Sequence, residues 1–301
     1  MRLKALIFAS ALLASQLAGM MDAAESSIVV DAESGVVLFS KDSDSKRQVA
    51  SLTKVATAVV VLKWLDENEV SWDVEIAVSS EAVSGGVNPL EMRSGDRLSL
   101  QAALYAAMMA SDNTSAYAVA EFIGGRMRDG TSGHEAVQVF VQAMNREVKA
   151  LGLENTRFVN PHGLDEGDDF GMSTAADMAL LAIGALEHPK FLSLCSLEEV
   201  EIELKRGEES ELKPVRNTND LVGSRGIDGI KTGTTRRSGP CLMATAVAGD
   251  GNAGRLVTVV LNAEDRFRET VLLLNSGWEE RSRLESAGDP VTNRRLLSPA
   301  K

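Results

Sequence analysis

Three short groups of residues carry side chains whose types and spacing suit chemistry. Ser51 and Lys54, in "VASLTKVATA", stand three residues apart, so a helix would put hydroxyl and amine on one face. Ser111-Asp112-Asn113 falls in "MMASDNTSAY" between two apolar runs, and Lys231-Thr232-Gly233 closes the β-rich run "GIDGIKTGTT". A serine hydroxyl is a poor nucleophile without an adjacent base. His134, His162 and His188 are scattered and none belongs to these groups, which leaves the Lys54 amine as the candidate base. Burial, and a second positive charge at Lys231, would both disfavour the protonated form of that amine, while Lys231 stays charged to hold an anion.

Each group also has a plainer reading. Ser-x-x-Lys recurs at Ser43 to Lys46 and at Ser210 to Lys213, both in polar segments, and only the copy at Ser51 leads into a long apolar helical pattern. There Ser51 reads either as a nucleophile or as a residue capping a helix start, with Lys54 solvated. Ser111 to Asn113 suits a helix N-cap, and Lys231 to Gly233 suits a strand running into a turn. Gly233 would let a ligand backbone lie against the strand edge.

The elements that must position these groups follow from periodicity. "SSIVVDAESGVVLFS" is two short β-rich runs around Glu33-Ser34-Gly35, a predicted hairpin. The helix after Ser51 is apolar on almost every face, as a helix buried in a larger protein must be. From about residue 99 to 187 the apolar spacing is near 3.6, in "LSLQAALYAAMMA", "TSAYAVAEFIGG", "HEAVQVFVQAMNREVKALG" and "STAADMALLAIGALE". Strand signals return in "EEVEIEL", "GIDGIKTG", "CLMATAVAG" and "RLVTVVLN", and "DRFRETVLLLNSGWEERSRL" closes the pattern as a helix. This order predicts an α+β domain, with an all-helical lobe inserted between the two halves of an antiparallel sheet.

Composition narrows the function classes. Of 301 residues, 44% are hydrophobic and 25% charged, which suits a soluble globular protein with a sizeable core. A formal net charge of -12 with no basic run argues against nucleic-acid binding. The histidines lack ligand spacing and no cysteine neighbours them, so neither a metal nor another cofactor is expected. Cys195 and Cys241 read as buried thiols rather than a disulfide. Arg2 and Lys4 followed by the apolar stretch Ala5 to Leu17 resemble a secretory signal, residues 1–24, with small residues at Ala18, Gly19, Ala23 and Ala24 as alternative cleavage points. A catalytic domain over 25–284 and a polar tail over 285–301 complete the expected organisation.

In this order the three motifs resemble those of the low-molecular-mass penicillin-binding proteins, the serine D-alanyl-D-alanine carboxypeptidases. "MRSGDRLSLQ", "LGLENTRFVNPHGLD", "STAADMALLA" and "DRFRETVLLLNSGW" are similar to that family as well, so the resemblance spans roughly residues 26 to 278. It implies an antiparallel sheet flanked by helices plus a helical lobe, with the site between them. It implies peptidoglycan stem peptides ending in D-Ala-D-Ala as substrate and β-lactams as covalent inhibitors, while the signal-like start predicts export to the periplasm or another extracytoplasmic space. Ser51 would form the acyl-enzyme with Lys54 as base, and Ser111 with Lys54 would protonate the leaving D-alanine. Asn113 would hold the substrate amide, and Lys231, Thr232, Gly233, Thr234 and Arg268 would bind substrate, with Arg216 a second choice for its carboxylate. Backbone N–H groups of Ser51 and Thr234 would stabilise the oxyanion. His162 and Asp112 are expected to serve structure.

Two departures from the family pattern stand out. Thr234 occupies a position where the family commonly has His, and the chain ends soon after Trp278 in a polar tail, so no C-terminal membrane anchor is expected. Three rival readings share the motifs. A class A β-lactamase would need a Glu-x-x-Leu-Asn loop, which is absent. A D,D-endopeptidase would use the same groups, and a non-catalytic binding protein for penicillin or cell-wall peptides would keep the cleft without turnover.

Overall fold

The computed structural model describes residues 24–165, 167–248, 254–287 and 296–297. The expected signal segment, apart from Ala24, and most of the polar tail lie outside these residues. The chain begins with the hairpin of β1 (Ser26–Asp31) and β2 (Val37–Lys41) and enters helix α1 (Thr53–Glu67). There follow β3 (Glu75–Ala77), α2 (Ser80–Ser84), β4 (Arg97–Ser99), α3 (Leu100–Met108), α4 (Asn113–Met127), α5 (Gly133–Ala150) and α6 (Ala175–Leu186). The last part holds β5 (Glu199–Arg206), β6 (Glu209–Arg216), β7 (Ile227–Thr235), β8 (Gly239–Val247), β9 (Arg255–Leu261) and α7 (Arg266–Ala287).

The main sheet is antiparallel with strand order β2-β1-β9-β8-β7, so the first two strands pair with the last three and the helices are inserted between them. This is the α+β architecture that the sequence predicts. Its strands read as almost unbroken apolar runs because both faces are covered. Ile28, Val30, Met243, Val257, Val259 and Leu261 point into the core shared with α1 and α6. Val29, Leu242, Ala244, Leu256 and Val260 point the other way, onto Leu273 and Leu274 of α7. The alternation is the period of two that a pleated strand imposes.

A second antiparallel sheet, β3-β4-β5-β6, is not foreseen in the sequence. Two of its strands have only three residues, and most of β6 is exposed and polar, so neither length nor alternation announces it. Helix starts follow the expected chemistry. Ser79, Ser99, Asp112 and Thr174 each accept a backbone N–H three residues on, at α2, α3, α4 and α6. Cys195 and Cys241 are buried and unbridged. No helix among the described residues is long and apolar enough to cross a membrane. Within the expected polar tail, Leu296 and Leu297 pair with the β1–β2 turn.

Candidate active site

Ser51 lies in a single 3-10 turn, Ala50–Leu52, that runs directly into α1. Leu52 takes the N-cap position and no side chain caps the helix, so Ser51 does not serve as its cap. Ala50 just before it has a φ of 47°, a region that few non-glycine residues occupy and one that often marks a constrained site.

Lys54, the second residue of α1, is 1% exposed. Its Nζ lies 3.1 Å from Ser51 Oγ, 2.7 Å from Asn113 Oδ1 and 3.0 Å from the carbonyl oxygen of His162. Burial lowers the amine's pKa to about 7, against an opposing pull from the Asp112 carboxylate. Lys54 is therefore not a solvated lysine. His162 is buried as well, and burial, with the Lys54 charge second, holds its ring neutral with a pKa of about 3.

Lys231, on β7, is 1% exposed, and its Nζ has no hydrogen-bond partner among the described residues. Burial first, then the charges of Lys54 and Arg266, lower its pKa well below the ordinary lysine range. The sequence reading gives Lys231 the part of depressing Lys54; burial is the main cause at both amines.

Of the second motif, Asn113 bonds to the Lys54 amine and the Asp112 charge bears on it. Ser111 ends the connection from α3 to α4, is half-buried and has a φ of 58°. The cap of α4 is Asp112, whose Oδ1 accepts the Ser115 N–H at 2.7 Å. Asp112 is fully buried, and burial raises its carboxyl pKa. Asn113 is the first residue of α4. Its Oδ1 takes the Lys54 amine, and its Nδ2 is buried with no partner among the described residues. On β7, Thr232 Oγ1 meets Thr218 Oγ1 at 2.6 Å, and Thr218 bonds to the Met109 carbonyl through both its Oγ1 and its backbone N–H. Thr218 thus ties β7 to the end of α3. A lone threonine in "VRNTND" gave the sequence reading no signal for it.

Gly233 has a packing role beside the ligand-binding one expected. A Cβ there would lie 3.0 Å from Ser51 N, 3.1 Å from Ala50 Cβ and 3.1 Å from Val49 O. Its missing side chain makes room for the turn that carries Ser51. Thr234 is exposed, and its Oγ1 donates to Gly233 O and accepts from Arg266.

Arg266 is the arginine that reaches this strand. Its Nη1 donates to Gly233 O at 3.0 Å and to Thr234 Oγ1 at 2.8 Å. The sequence reading chose Arg268, which is exposed, with its backbone N–H bonded to Asp265 Oδ1. "DRFRE" offers two arginines two residues apart, which a helix turns to nearly opposite sides, about 200° apart. Arg216 is exposed at the end of β6 and pairs with Glu199.

This arrangement holds a hydroxyl against an amine of near-neutral pKa, with an unpartnered buried amine, an unpartnered carboxamide N–H group and a guanidinium at the neighbouring strand. Those are groups for nucleophilic attack on a carbonyl that stands next to an anion.

Comparisons with known proteins point the same way. Residues 14–265 match the sequence profile of a family described as D-alanyl-D-alanine carboxypeptidase. The chain is 29% identical to the carboxypeptidase DacF of Bacillus subtilis, over 85% of this chain and 62% of that protein. It is 32% identical to a D-alanyl-D-alanine endopeptidase of Pseudomonas aeruginosa, over 81% of this chain and 73% of that protein. Among solved structures, a Streptomyces DD-transpeptidase superposes with a TM-score of 0.77 at 25% identity, covering 85% of this chain and 97% of that one. Penicillin-binding protein D2 from Listeria monocytogenes, in its ampicillin-bound form, gives 0.69 at 30% identity, covering 85% and 98%. The chain spans about three fifths of the length of the first curated relatives it matches.

Proposed function

Because the chain belongs to the D-alanyl-D-alanine carboxypeptidase family, we propose that it is a serine-type carboxypeptidase that removes the terminal D-alanine from peptidoglycan stem peptides. The observation that carries this reading is the Lys54 amine, buried with a pKa of about 7 and 3.1 Å from Ser51 Oγ. In this reading Ser51 Oγ attacks the carbonyl carbon of the penultimate D-alanine while its proton passes to Lys54. The C–N bond then breaks, the departing amine takes a proton by way of Lys54 and Ser111, and an ester on Ser51 remains. Water adds to the ester, the Ser51 oxygen regains a proton, and the shortened peptide leaves.

The remaining groups act as binders. The substrate carboxylate meets Lys231, Thr232 and Arg266, and Asn113 Nδ2 donates to a substrate carbonyl. The N–H groups of Ser51 and Thr234 receive the developing oxyanion, Ser51 at the positive end of its helix. Penicillins, with a similar carbonyl and carboxylate, acylate Ser51 and leave slowly. The catalytic unit of this reading is residues 25–284, acting outside the cytoplasm on the cell wall, and the charged and then apolar start from Arg2 to Leu17 supports export. A second reading, a D,D-endopeptidase cutting crosslinked stem peptides, uses the same groups, and the Pseudomonas relative bears that name.

Labelled penicillin followed by peptide mapping tests the nucleophile, and D-alanine release from an acyl-D-Ala-D-Ala peptide tests the activity. The expected adduct is on Ser51, and Ser51→Ala should abolish release. A label on another residue, or undiminished release by the variant, would overturn the assignment. Faster cleavage of a crosslinked dimer than of the linear peptide would favour the endopeptidase.

A further inference from the structure

The turn Asn160–Leu164, between α5 and α6, touches Lys54 and the residues Ala50 and Thr53 that flank Ser51. It is locked from within. The Asn160 side chain is 5% exposed; its Oδ1 accepts the N–H of Gly163 at 2.7 Å and of His162 at 3.3 Å, and its Nδ2 donates to Leu164 O at 3.0 Å. The His162 ring closes the same loop, with Nδ1 accepting the Leu164 N–H at 3.2 Å. The turn is also pressed onto the nucleophile's segment. Gly163 has a φ of 85°, and a Cβ there would lie 1.9 Å from Ala50 O and 2.8 Å from Thr53 Oγ1. Two carbonyls face α1 from this locked turn: Pro161 O accepts Thr57 Oγ1 at 2.7 Å and His162 O accepts Lys54 Nζ at 3.0 Å.

Counting valences at Lys54 gives this contact a purpose. A neutral amine has two N–H bonds and one lone pair. Asn113 Oδ1 and His162 O only accept, so between them they use both N–H bonds. The third partner, Ser51 Oγ, is then the one that faces the lone pair. If either acceptor were lost, the amine could rotate and aim a hydrogen at the hydroxyl instead.

We propose that Asn160 and His162 are positioning residues for acyl transfer, holding the His162 carbonyl where it turns the free-amine lone pair of Lys54 onto Ser51. This inference rests on the reading of Ser51 and Lys54 given above. The ring acts through Nδ1 as an acceptor, which requires it to be unprotonated there, and burial with the Lys54 charge ensures that above strongly acidic pH. The groups whose charges bear on Lys54 are Asp112 ahead of α4, Lys231 on β7 and His162 in the turn, and of these Asp112 alone favours the ammonium. Because burial is the largest cause of the low amine pKa, a loosened turn that admits water raises it.

Two readouts test this in the whole protein. The Lys54 midpoint is followed by NMR in protein with carbon-labelled lysine, the Lys54 signal being the one absent from Lys54→Met, and Ser51 acylation by labelled penicillin is timed against pH. For His162→Ala the midpoint should rise from about 7 to about 8, so that the free amine at pH 7 falls from about one half to about one tenth. With the misdirected lone pair added, acylation should slow at least tenfold at saturating penicillin. His162→Asn, whose carboxamide oxygen can take the Leu164 N–H, should recover both values to within about threefold of wild type. An unchanged midpoint and rate in His162→Ala, or no recovery with asparagine, would overturn the proposal. If the wild type takes no label at Ser51, the acyl-transfer reading fails, while the NMR midpoint still decides whether the turn governs the amine. If His162→Ala does not fold, Asn160→Ser, which loses the bond to Leu164 O and keeps the ring, should show the same upward shift.

Discussion

At the scale of single residues, Lys231 is the most informative side chain. A buried amine without a hydrogen-bond partner among the described residues, beside Lys54 and Arg266, holds its proton weakly. An anion docked against it reverses that balance, because an adjacent negative charge favours the ammonium. Binding a carboxylate should therefore draw a proton from solvent. The measurement is calorimetry of an acyl-D-Ala-D-Ala peptide binding to Ser51→Ala at pH 8, in buffers of different ionisation enthalpy. We expect net proton uptake, and less of it for Lys231→Arg, since a guanidinium stays charged in either state. Equal heats in all buffers would mean that Lys231 is already charged in the open cleft. On the proposed reading, two lysines can share one site because the substrate would supply the charge that makes the second one an ammonium.

At the scale of elements, the site depends on how closely β7 approaches the turn carrying Ser51. The strand carbonyl of Gly233 is held by Arg266, and its Cα lies against Val49, Ala50 and Ser51. In Gly233→Ala the added methyl meets contacts of 3.0 to 3.1 Å, mostly backbone, which must yield by a few tenths of an ångström. A loss of about 1–3 kcal/mol in denaturant unfolding is expected from such overpacking. Acylation of Ser51 should drop more than tenfold, because the strand and the nucleophile are pushed apart. Wild-type acylation kinetics in this variant would show that the tight approach has no bearing on catalysis.

Much of this arrangement was legible in the sequence, for identifiable reasons. β8 and β9 appeared as unbroken apolar runs because both faces of their sheet are covered, and the four helices between Leu100 and Leu186 showed their period. The second sheet was not legible, since β3 and β4 are three residues long and β6 is largely exposed. The motif residues Ser51, Lys54, Asn113 and Lys231 were visible as types at a spacing. What escaped depends on tertiary direction: the 3-10 turn under Ser51, Arg266 rather than Arg268, and Thr218, whose partners are 14 and 109 residues away.

At the scale of the whole molecule, the fold encloses an ionisable amine in a core that is destabilised when the amine is charged. Lys54 lies on a helix buried on almost all sides, and its pKa falls from 10.5 to about 7. Below about pH 7 the folded and unfolded chains both hold the proton, and the folded chain bears the full burden of a buried ammonium. Between about 7 and 10.5 the unfolded chain alone binds it, so this group's contribution to stability climbs with pH and levels off above 10.5. The climb amounts to about 5 kcal/mol, from the difference in pKa at about 1.4 kcal/mol per unit. Lys54→Met removes that dependence, and it also leaves Asn113 Oδ1 and the His162 carbonyl without their donor, at about 1–3 kcal/mol each. The variant should therefore be the more stable protein at pH 6 and the less stable at pH 10, with the two unfolding curves crossing between. Denaturant titrations across that range measure the crossing directly. A stability difference that does not change with pH would mean that the folded amine titrates like a solvated lysine, and with that the low-pKa base on which the proposed acyl transfer at Ser51 depends would be gone.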